Sequence, residues 1–164
     1  MSQQKFQGTI IVREHTADDF ELLARMNRQL IEDEGHRSPK TVEELKERFR
    51  RFVAKDGWSV DLLVLDEEVI GFATHRYEDD ETAASGRAVH LRQFFIARHR
   101  RGGGIGRAAL DELVRARFRP GERIFLHVIE TNPGGKVFWS RTGFVPYGTI
   151  METRVPEDGS ERGR

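Results

Sequence analysis

A run of arginines and glycines is the part of this sequence best suited to chemistry. The run reads Arg98-His99-Arg100-Arg101-Gly102-Gly103-Gly104-Ile105-Gly106-Arg107. Glycines can adopt positive φ and let the main chain approach a ligand closely, and the first N–H groups of a helix have no partners within it. Arginine adds charge-assisted hydrogen bonds to phosphates. If a helix begins in this run, the sequence predicts a site for a ligand with more than one phosphate, the alternative being a solvated basic turn.

Histidine is the second residue type here that could act in a reaction. We expect His90 near the start of a central strand, and a histidine with an ordinary pKa of about 6.5 is largely neutral at physiological pH. His90 is therefore our candidate general base. His75 and His127, on neighbouring predicted strands, compete for that role, as does a water relay through Glu130. A hydrogen-bonded structural histidine fits the same position.

The hydrophobic pattern predicts the elements that must position these residues. Polar caps at Thr16 and Thr41 open two early helices, the first over residues 17–31. Later helices are predicted from Ile105 until Pro120 and over residues 134–141. Strands are predicted at 9–13, 60–65, 69–77, 89–97 and 124–129, with a final strand pair around Val145 to Val155. The order is βααβββαβαββ, and the strands on either side of the third helix should be parallel.

Length and composition narrow the function classes. The chain has 164 residues, with 27 Lys and Arg against 27 Asp and Glu and no cysteine. We expect one domain over residues 1–155 and a frayed tail over 156–164. Without cysteine there is no disulfide framework, no thiolate zinc site and no acyl group carried on a thiolate. The equal numbers of basic and acidic residues argue against a nucleic-acid-binding surface. The lack of a signal region or of an apolar stretch long enough to cross a bilayer predicts a soluble, cytoplasmic protein with no membrane partner.

Two known glycine loops fit the run poorly. A P-loop needs Lys followed by Ser or Thr, whereas this chain reads Gly104-Ile105-Gly106-Arg107-Ala108. Residues 104–109 do satisfy the dinucleotide pattern G-x-G-x-x-A, with Glu130 as a candidate ribose ligand. However, that unit would begin near residue 88, and the preceding residues do not alternate strand and helix. A dinucleotide-dependent oxidoreductase is therefore the weaker alternative.

Two spaced motifs resemble those of one enzyme family. Arg101-Gly102-Gly103-Gly104-Ile105-Gly106 resembles the R/Q-x-x-G-x-G/A acetyl-CoA signature of the GNAT N-acetyltransferases, and it follows Gln93-Phe94-Phe95-Ile96 as that family's loop follows its fourth strand. Asn132-Pro133, Phe138-Trp139 and Gly143-Phe144 resemble the family's N…(F/Y)Y…GF segment. The resemblance implies an α/β fold of the GNAT type, with a mixed, centrally splayed β-sheet flanked by helices.

The resemblance also implies an activity and a set of binding residues. Acetyl-CoA would be the acetyl donor, an amine of a small molecule or protein the acceptor, and no metal would be needed; transfer would be direct, and a homodimer is compatible with the family. Main-chain groups of three strand residues would pair with the pantetheine arm, those of the loop would cradle the pyrophosphate, and an asparagine would contact the arm from the other side. The residues concerned are Phe94, Phe95 and Ile96; Arg101, Gly102, Gly103, Gly104, Ile105, Gly106 and Arg107; and Asn132.

One position departs from the family's pattern. The family commonly has a tyrosine general acid where this chain has Trp139, whose indole is no acid at neutral pH. Leaving a thiolate unprotonated at pH 7 costs about 2 kcal/mol, which water or Ser140 could offset. A non-catalytic acyl-CoA-binding module is therefore the second hypothesis. On the acceptor side, the resemblance points to Asp33, Glu34 and His36, which could attract a cationic amine or form a solvated turn.

Overall fold

The computed structural model describes residues 6–157 of the chain. Its strands are β1 (Ile10–Glu14), β2 (Ser59–Leu65), β3 (Glu68–Asp79), β4 (Arg87–Ile96) and β5 (Ile124–Phe125). Its α-helices are α1 (Phe20–Glu34), α2 (Val42–Ala54), α3 (Ile105–Arg117) and α4 (Pro133–Arg141). Short 3-10 turns at Ala17–Asp19 and Arg98–Arg100 precede α1 and the glycine run.

The first two helices begin at the predicted caps. The Thr16 N–H donates to the Asp19 carboxylate at 2.7 Å, and the Thr41 N–H donates to the Glu44 carboxylate at 2.7 Å. Helix α1 continues past the predicted end at residue 31 and stops at Gly35, whose φ is 64°. A glycine accepts this left-handed conformation without a steric cost. The two capped helices form one layer over the sheet.

The five strands form one mixed sheet in the order β1-β2-β3-β4-β5. Neighbouring strands are antiparallel from β1 to β4, whereas β4 and β5 are parallel. On one face, α1 and α2 bury a core around Phe49, Phe72 and Phe95, and on the other face α3 packs through Leu110 and Leu113. The predicted fold class, a mixed α/β sheet flanked by helices, is confirmed.

The parallel strands β4 and β5 diverge after two paired residues. Strand β5 pairs with only Val89 and His90 of β4, so residues 91–96 of β4 are paired on their β3 side alone. The predicted strand over 124–129 is therefore too long, since residues 126–129 leave β4 and form no ladder. The family resemblance implies a splay in the middle of the sheet, whereas the opening here lies between β4 and the edge strand β5.

The predicted final strand pair around Val145 to Val155 is wrong. Residues 145–157 form no strand, and their large apolar side chains are 77–88% exposed. The two-residue β5 offers almost no edge to pair with, and Pro146 has no N–H to donate. The element order over residues 6–157 is therefore βααβββαβα.

Some predictions fall on residues that the structure does not describe. Residues 1–5, where no signal region is expected, and most of the predicted frayed tail over 156–164 lie outside the described residues. Within residues 6–157, no helix has both the length and the apolar character that crossing a membrane requires.

Candidate active site

Three consecutive glycines form the turn between β4 and α3. Gly102, Gly103 and Gly104 have φ angles of 93°, 58° and 83°, a left-handed region that other residues occupy only with strain. A Cβ atom built on Gly102 or Gly103 would meet no atom within 4 Å. The turn is therefore open on the side where side chains would lie, and a ligand can reach its main chain.

The first turn of α3 also presents main-chain donors. The Ile105 N–H donates to the Gly102 carbonyl at 3.3 Å, and the Ala108 N–H donates to the Gly104 carbonyl at 3.0 Å. Within the described part of the chain, the N–H groups of Gly106 and Arg107 have no main-chain acceptor. Unpaired N–H groups at a helix N-terminus attract anions. The loop thus has the geometry of a phosphate cradle, although phosphate binding itself stays a prediction.

The four basic side chains of residues 98–101 are held by carboxylates of the protein. Asp33 binds Arg98 at 2.7 Å and Arg101 at 2.5 Å. Burial raises the pKa of Asp33, but these hydrogen bonds outweigh burial and hold it below its usual value. Glu68 binds the other two side chains, those of His99 and Arg100. Main-chain N–H groups, rather than arginine side chains, are therefore the groups of this loop that face a ligand unpaired.

The end of β4 lies where the sheet has opened. Phe94, Phe95 and Ile96 follow the last residue that pairs with β5, and on their other side they pair with β3. Arg101 joins the loop to this strand end, because its Nε donates to the Ile96 carbonyl at 2.8 Å. The predicted contacts of these three residues with a pantetheine arm remain predictions.

Helix α4 closes the other side of the opening. The Asn132 side chain accepts a hydrogen bond from the Gly135 N–H at 2.9 Å, so Asn132 caps this helix. Its contact with a pantetheine arm stays a prediction. A Cβ on Gly106 would lie 3.1 Å from the Phe138 ring, so the glycine lets α3 and α4 approach closely. The motif residues therefore have structural roles that are compatible with binding.

An aromatic cluster joins α4 to β4. The Phe94 ring lies 6.0 Å from that of Phe138 and 5.7 Å from that of Trp139, and Trp139 lies 5.1 Å from Phe144. These contacts partly bury the side chain of Phe94, whose main chain lies at the open edge. Trp139, which the motif resemblance matches to the family's tyrosine, packs against the rings of Phe94, Phe138 and Phe144.

His90 lies at the point where β4 and β5 part. Its Nδ1 is 2.8 Å from the Glu78 carboxylate, its ring stacks on Phe125 at 4.6 Å, and its side chain is 13% exposed. The hydrogen bond from His90 lowers the pKa of Glu78, as does that from Arg76. In the tautomer that donates from Nδ1 to the Glu78 carboxylate, the lone pair of His90 lies on Nε2.

The structure separates the competing histidines. His75 lies on the opposite face of the sheet, where its Nε2 is 2.8 Å from the buried carboxylate of Asp61, so it serves an internal ion cluster. His127 is exposed, with its ring centroid 5.4 Å from that of His90. Glu130 pairs with Lys136 at 2.5 Å. His90 is the histidine of the three that combines burial, a carboxylate partner and a place at the opening.

The three residues expected on the acceptor side differ in their surroundings. Asp33 is held by the arginines of the loop, and the His36 Nδ1 accepts from the Ser38 N–H at 3.0 Å. Glu34 is half-buried, and burial together with the charge of Asp33 raises its pKa. The Thr131 hydroxyl donates to the Glu34 carbonyl at 2.6 Å, which ties the end of α1 to the segment before α4.

Sequence reasoning missed two partners of His90. Glu78 lies one residue beyond the predicted strand over 69–77, but the structure places it in β3. Trp58, whose ring centroid lies 5.3 Å from that of His90, precedes β2 and carries no motif. An acidic residue that continues the alternation of β3 beyond Arg76 was the available signal for Glu78.

Comparison with protein families identifies the class of this chain. A model of the acetyltransferase (GNAT) family matches residues 20–144. The chain therefore belongs to the GNAT family of acetyltransferases. No curated protein matches the chain.

Solved structures show the same fold. A mutant of the BH1408 protein from Bacillus halodurans has a TM-score of 0.70 and 23% identity, covering 89% of this chain and 99% of its own. A predicted acetyltransferase from Clostridium acetobutylicum, solved with acetyl-CoA, has a TM-score of 0.65 and 19% identity, covering 90% and 97%. The aminoglycoside N-acetyltransferase AAC(6')-Iy, in complex with CoA, has a TM-score of 0.67 and 15% identity, covering 91% and 96%. At these identities the likeness concerns the fold.

Proposed function

We propose that this chain transfers the acetyl group of acetyl-CoA directly to a primary amine of a small molecule or protein. The observation that carries the proposal is the placement of two features at one opening of the sheet. The glycine turn, with its unpaired N–H groups, follows the open end of β4, and the His90–Glu78 pair lies where the opening begins. One feature suits an anionic donor, and the other suits removal of a proton.

The residues of the loop fit acetyl-CoA as donor. The open side of the glycine turn admits a bulky phosphate group, and the N–H groups of Gly106 and Arg107 are available to its oxygens. Acetyl-CoA supplies a thioester, and in the reaction the amine nitrogen bonds to the acetyl carbon, the C–S bond breaks, the amine loses a proton and the sulfur gains one. The neighbours solved with acetyl-CoA or CoA share this fold, which supports the assignment of the donor.

His90 would remove the proton from the acceptor. A primary ammonium of ordinary pKa, about 10.4, is protonated at pH 7 and must lose a proton before it can attack. The Nε2 lone pair of His90 can accept that proton, while Glu78 stabilises the imidazolium that forms. Trp139 offers no acidic group, so the sulfur would take its proton from water or from the exposed Ser140.

Two alternative functions of the glycine loop are distinguished in different ways. A dinucleotide-binding fold requires a largely parallel sheet, and the strands here are antiparallel from β1 to β4. A non-catalytic acyl-CoA-binding module would share the donor site but would release no CoA. We do not assign the acceptor of AAC(6')-Iy to this chain, because the similarity between the two proteins concerns the fold.

Turnover with a panel of primary amines tests the proposal. Purified protein is incubated with acetyl-CoA and each amine, CoA thiol release is measured, and products are weighed by mass spectrometry. We expect amine-dependent CoA release and products heavier by one acetyl group, with the protein's own mass unchanged when no amine is present. Acetylated protein formed without amine would contradict direct transfer, and donor binding without CoA release would favour the binding module.

A further inference from the structure

Four buried polar atoms lie unpaired on the face of the sheet covered by α1 and α2. Among the described residues, no hydrogen-bond partner is found for Asn27 Nδ2, Arg48 Nε, Thr74 Oγ1 and Gln93 Oε1. Asn27 is 1% exposed and Thr74 is 0% exposed. Buried polar groups are almost always paired, and each one left without a partner destabilises the fold. Such a cluster can receive hydrogen bonds from water or from a polar group of a ligand.

A β-bulge in β4 brings this cluster together. The pairing of β3 with β4 shifts between Thr74, which is opposite Gln93, and His75, which is opposite Leu91, so Arg92 is the extra residue. A bulge redirects side chains locally. As a result, the consecutive residues Arg92 and Gln93 both point toward the α1–α2 layer, where Arg92 meets the ring of Phe52 and Gln93 lies beside Thr74.

Two arginines of the cluster have no carboxylate partner within the described part of the chain. The guanidinium carbons of Arg48 and Arg92 lie 5.4 Å and 5.1 Å from the Phe52 ring centroid, and Arg48 donates to the Asn27 side-chain oxygen. Arg92 is exposed, so the cluster opens to solvent at this residue. Arginine forks bind carboxylates and phosphates through paired hydrogen bonds.

The neighbouring carboxylates are already paired with other arginines. Asp56 binds Arg51 at 3.2 Å, and Glu78 binds Arg76 at 2.8 Å as well as His90. Burial and the charge of Arg92 lower the pKa of Arg48 to about 10, and burial and the charge of Arg76 lower that of Arg92. The cluster therefore carries an excess of positive charge that an added anion would offset.

We infer that the cluster of Asn27, Arg48, Thr74, Arg92 and Gln93, here named the arginine pocket, binds an anionic group of the acceptor. This inference rests on the proposed function, because it takes the acceptor's amine to lie at His90. Both the His90 ring and the Arg92 guanidinium carbon lie 5.3 Å from the Trp58 ring centroid. The two residues are two positions apart on β4.

The position of both side chains beside Trp58 favours an acceptor that carries an amine and an anion. An amine at His90 and an anion at Arg92 would be separated by a short chain of atoms, as in aminoalkyl carboxylates or aminoalkyl phosphonates. Such an acceptor would pair its anion with the guanidinium groups and offer hydrogen atoms or lone pairs to the unpaired amides. Amines with several positive charges would be repelled by Arg48 and Arg92 and should be poor acceptors.

Matched acceptors and one arginine variant test the inference. Amino carboxylates of increasing chain length are compared with their amides and with the corresponding phosphonates, on the wild type and on Arg92→Gln. We expect kcat/KM for the anionic amines to exceed that of the amides by about tenfold or more, since hydrogen bonds to charged groups have effects of this size. Arg92→Gln should remove that preference through KM and leave the amides unchanged, and the better of carboxylate and phosphonate identifies the anion.

The control is Arg50→Gln, on the same helix as Arg48 but exposed and paired with Glu47. It should leave the preference intact. Equal kcat/KM for anionic and neutral amines, or an equal loss for both in Arg92→Gln, would overturn the inference while leaving acetyl transfer standing. If no amine is turned over, the proposed function fails. A thermal-shift titration with 4-aminobutyrate in the presence of CoA then tests whether the arginine pocket binds an anion. A rise in Tm that Arg92→Gln abolishes supports the pocket, and no rise overturns it.

Discussion

At the residue scale, the proposed chemistry depends on the pair formed by His90 and Glu78. Their 2.8 Å hydrogen bond fixes the ring of a partly buried histidine at the mouth of the opening. The sequence could indicate His90, because its strand and its alternation are regular. The alternation of β3 could extend that strand to Glu78, but it could not indicate the contact with His90, because the contact depends on the register in which β3 pairs with β4.

We predict that His90→Gln lowers kcat by about 100-fold or more, since a positioned general base contributes on that order. Affinity for CoA should be unchanged, because the glycine turn is untouched. His127→Gln is the matched control, since this neighbouring histidine is exposed, and it should change kcat by only a few-fold. If steady-state kinetics gave equal losses of kcat in both variants, His90 would not be the general base.

Glu78→Gln tests the positioning role of its carboxylate. We expect kcat to fall about 10-fold, within the range found for groups that orient a functional histidine. The affinity for CoA should be unchanged, because the substitution leaves the glycine turn untouched. An unchanged kcat, or an equal fall in kcat and in CoA affinity, would contradict the positioning role of Glu78.

At the element scale, the main requirement is the glycine turn before α3. The sequence predicted its place because a strand, a glycine run and an amphipathic helix follow one another. It did not predict that the arginines would be held by Glu32, Asp33 and Glu68, since these partners come from α1 and β3. The strand predicted over 124–129 was also longer than β5, because an apolar run does not show where two parallel strands diverge.

Gly104→Glu tests the turn as a binding element. It places bulk and negative charge where a pyrophosphate should lie, so we expect the affinity for CoA to fall by tenfold or more. Gly121→Glu is the matched control, because Gly121 has the same φ of 83° and open surroundings, so both variants bear a similar strain of about 1–2 kcal/mol. Calorimetric titration that found equal CoA affinity in the two variants would show that the turn is not the donor site.

At the scale of the whole molecule, a buried ion cluster joins the sheet to α3. Asp61 is 2% exposed and binds both His75 at 2.8 Å and Arg117. Burial alone would raise the pKa of Asp61, but these hydrogen bonds outweigh burial and lower it. A group with a lowered pKa stabilises the fold above its unfolded pKa, and that stability is lost as the pH falls through the folded pKa. The family motifs predict the fold but not this cluster, whose members are far apart in sequence.

Arg117→Met should destabilise the protein, because it leaves the Asp61 charge buried with His75 alone. We expect the free energy of unfolding to fall by about 3 kcal/mol, the lower end of the range for a broken buried ion pair. The Tm should therefore fall by roughly 6–12 °C at neutral pH. Arg115→Met is the control on the same helix, because its partner is the surface residue Glu112 and it should cost less than about 1 kcal/mol. Calorimetry that found equal Tm changes would show that the cluster contributes no more than a surface ion pair.

The most direct test of the donor site, on which the whole account depends, is a thermal-shift comparison of acetyl-CoA, CoA, NADP and ATP at matched concentrations. A ligand at about 100 times its Kd stabilises the fold by about 2.7 kcal/mol, which corresponds to a rise in Tm of roughly 5–11 °C for a domain of this size. We predict that acetyl-CoA and CoA raise the Tm and that NADP and ATP do not. A rise with NADP that CoA does not compete away, or no rise with either form of CoA, would contradict the assignment.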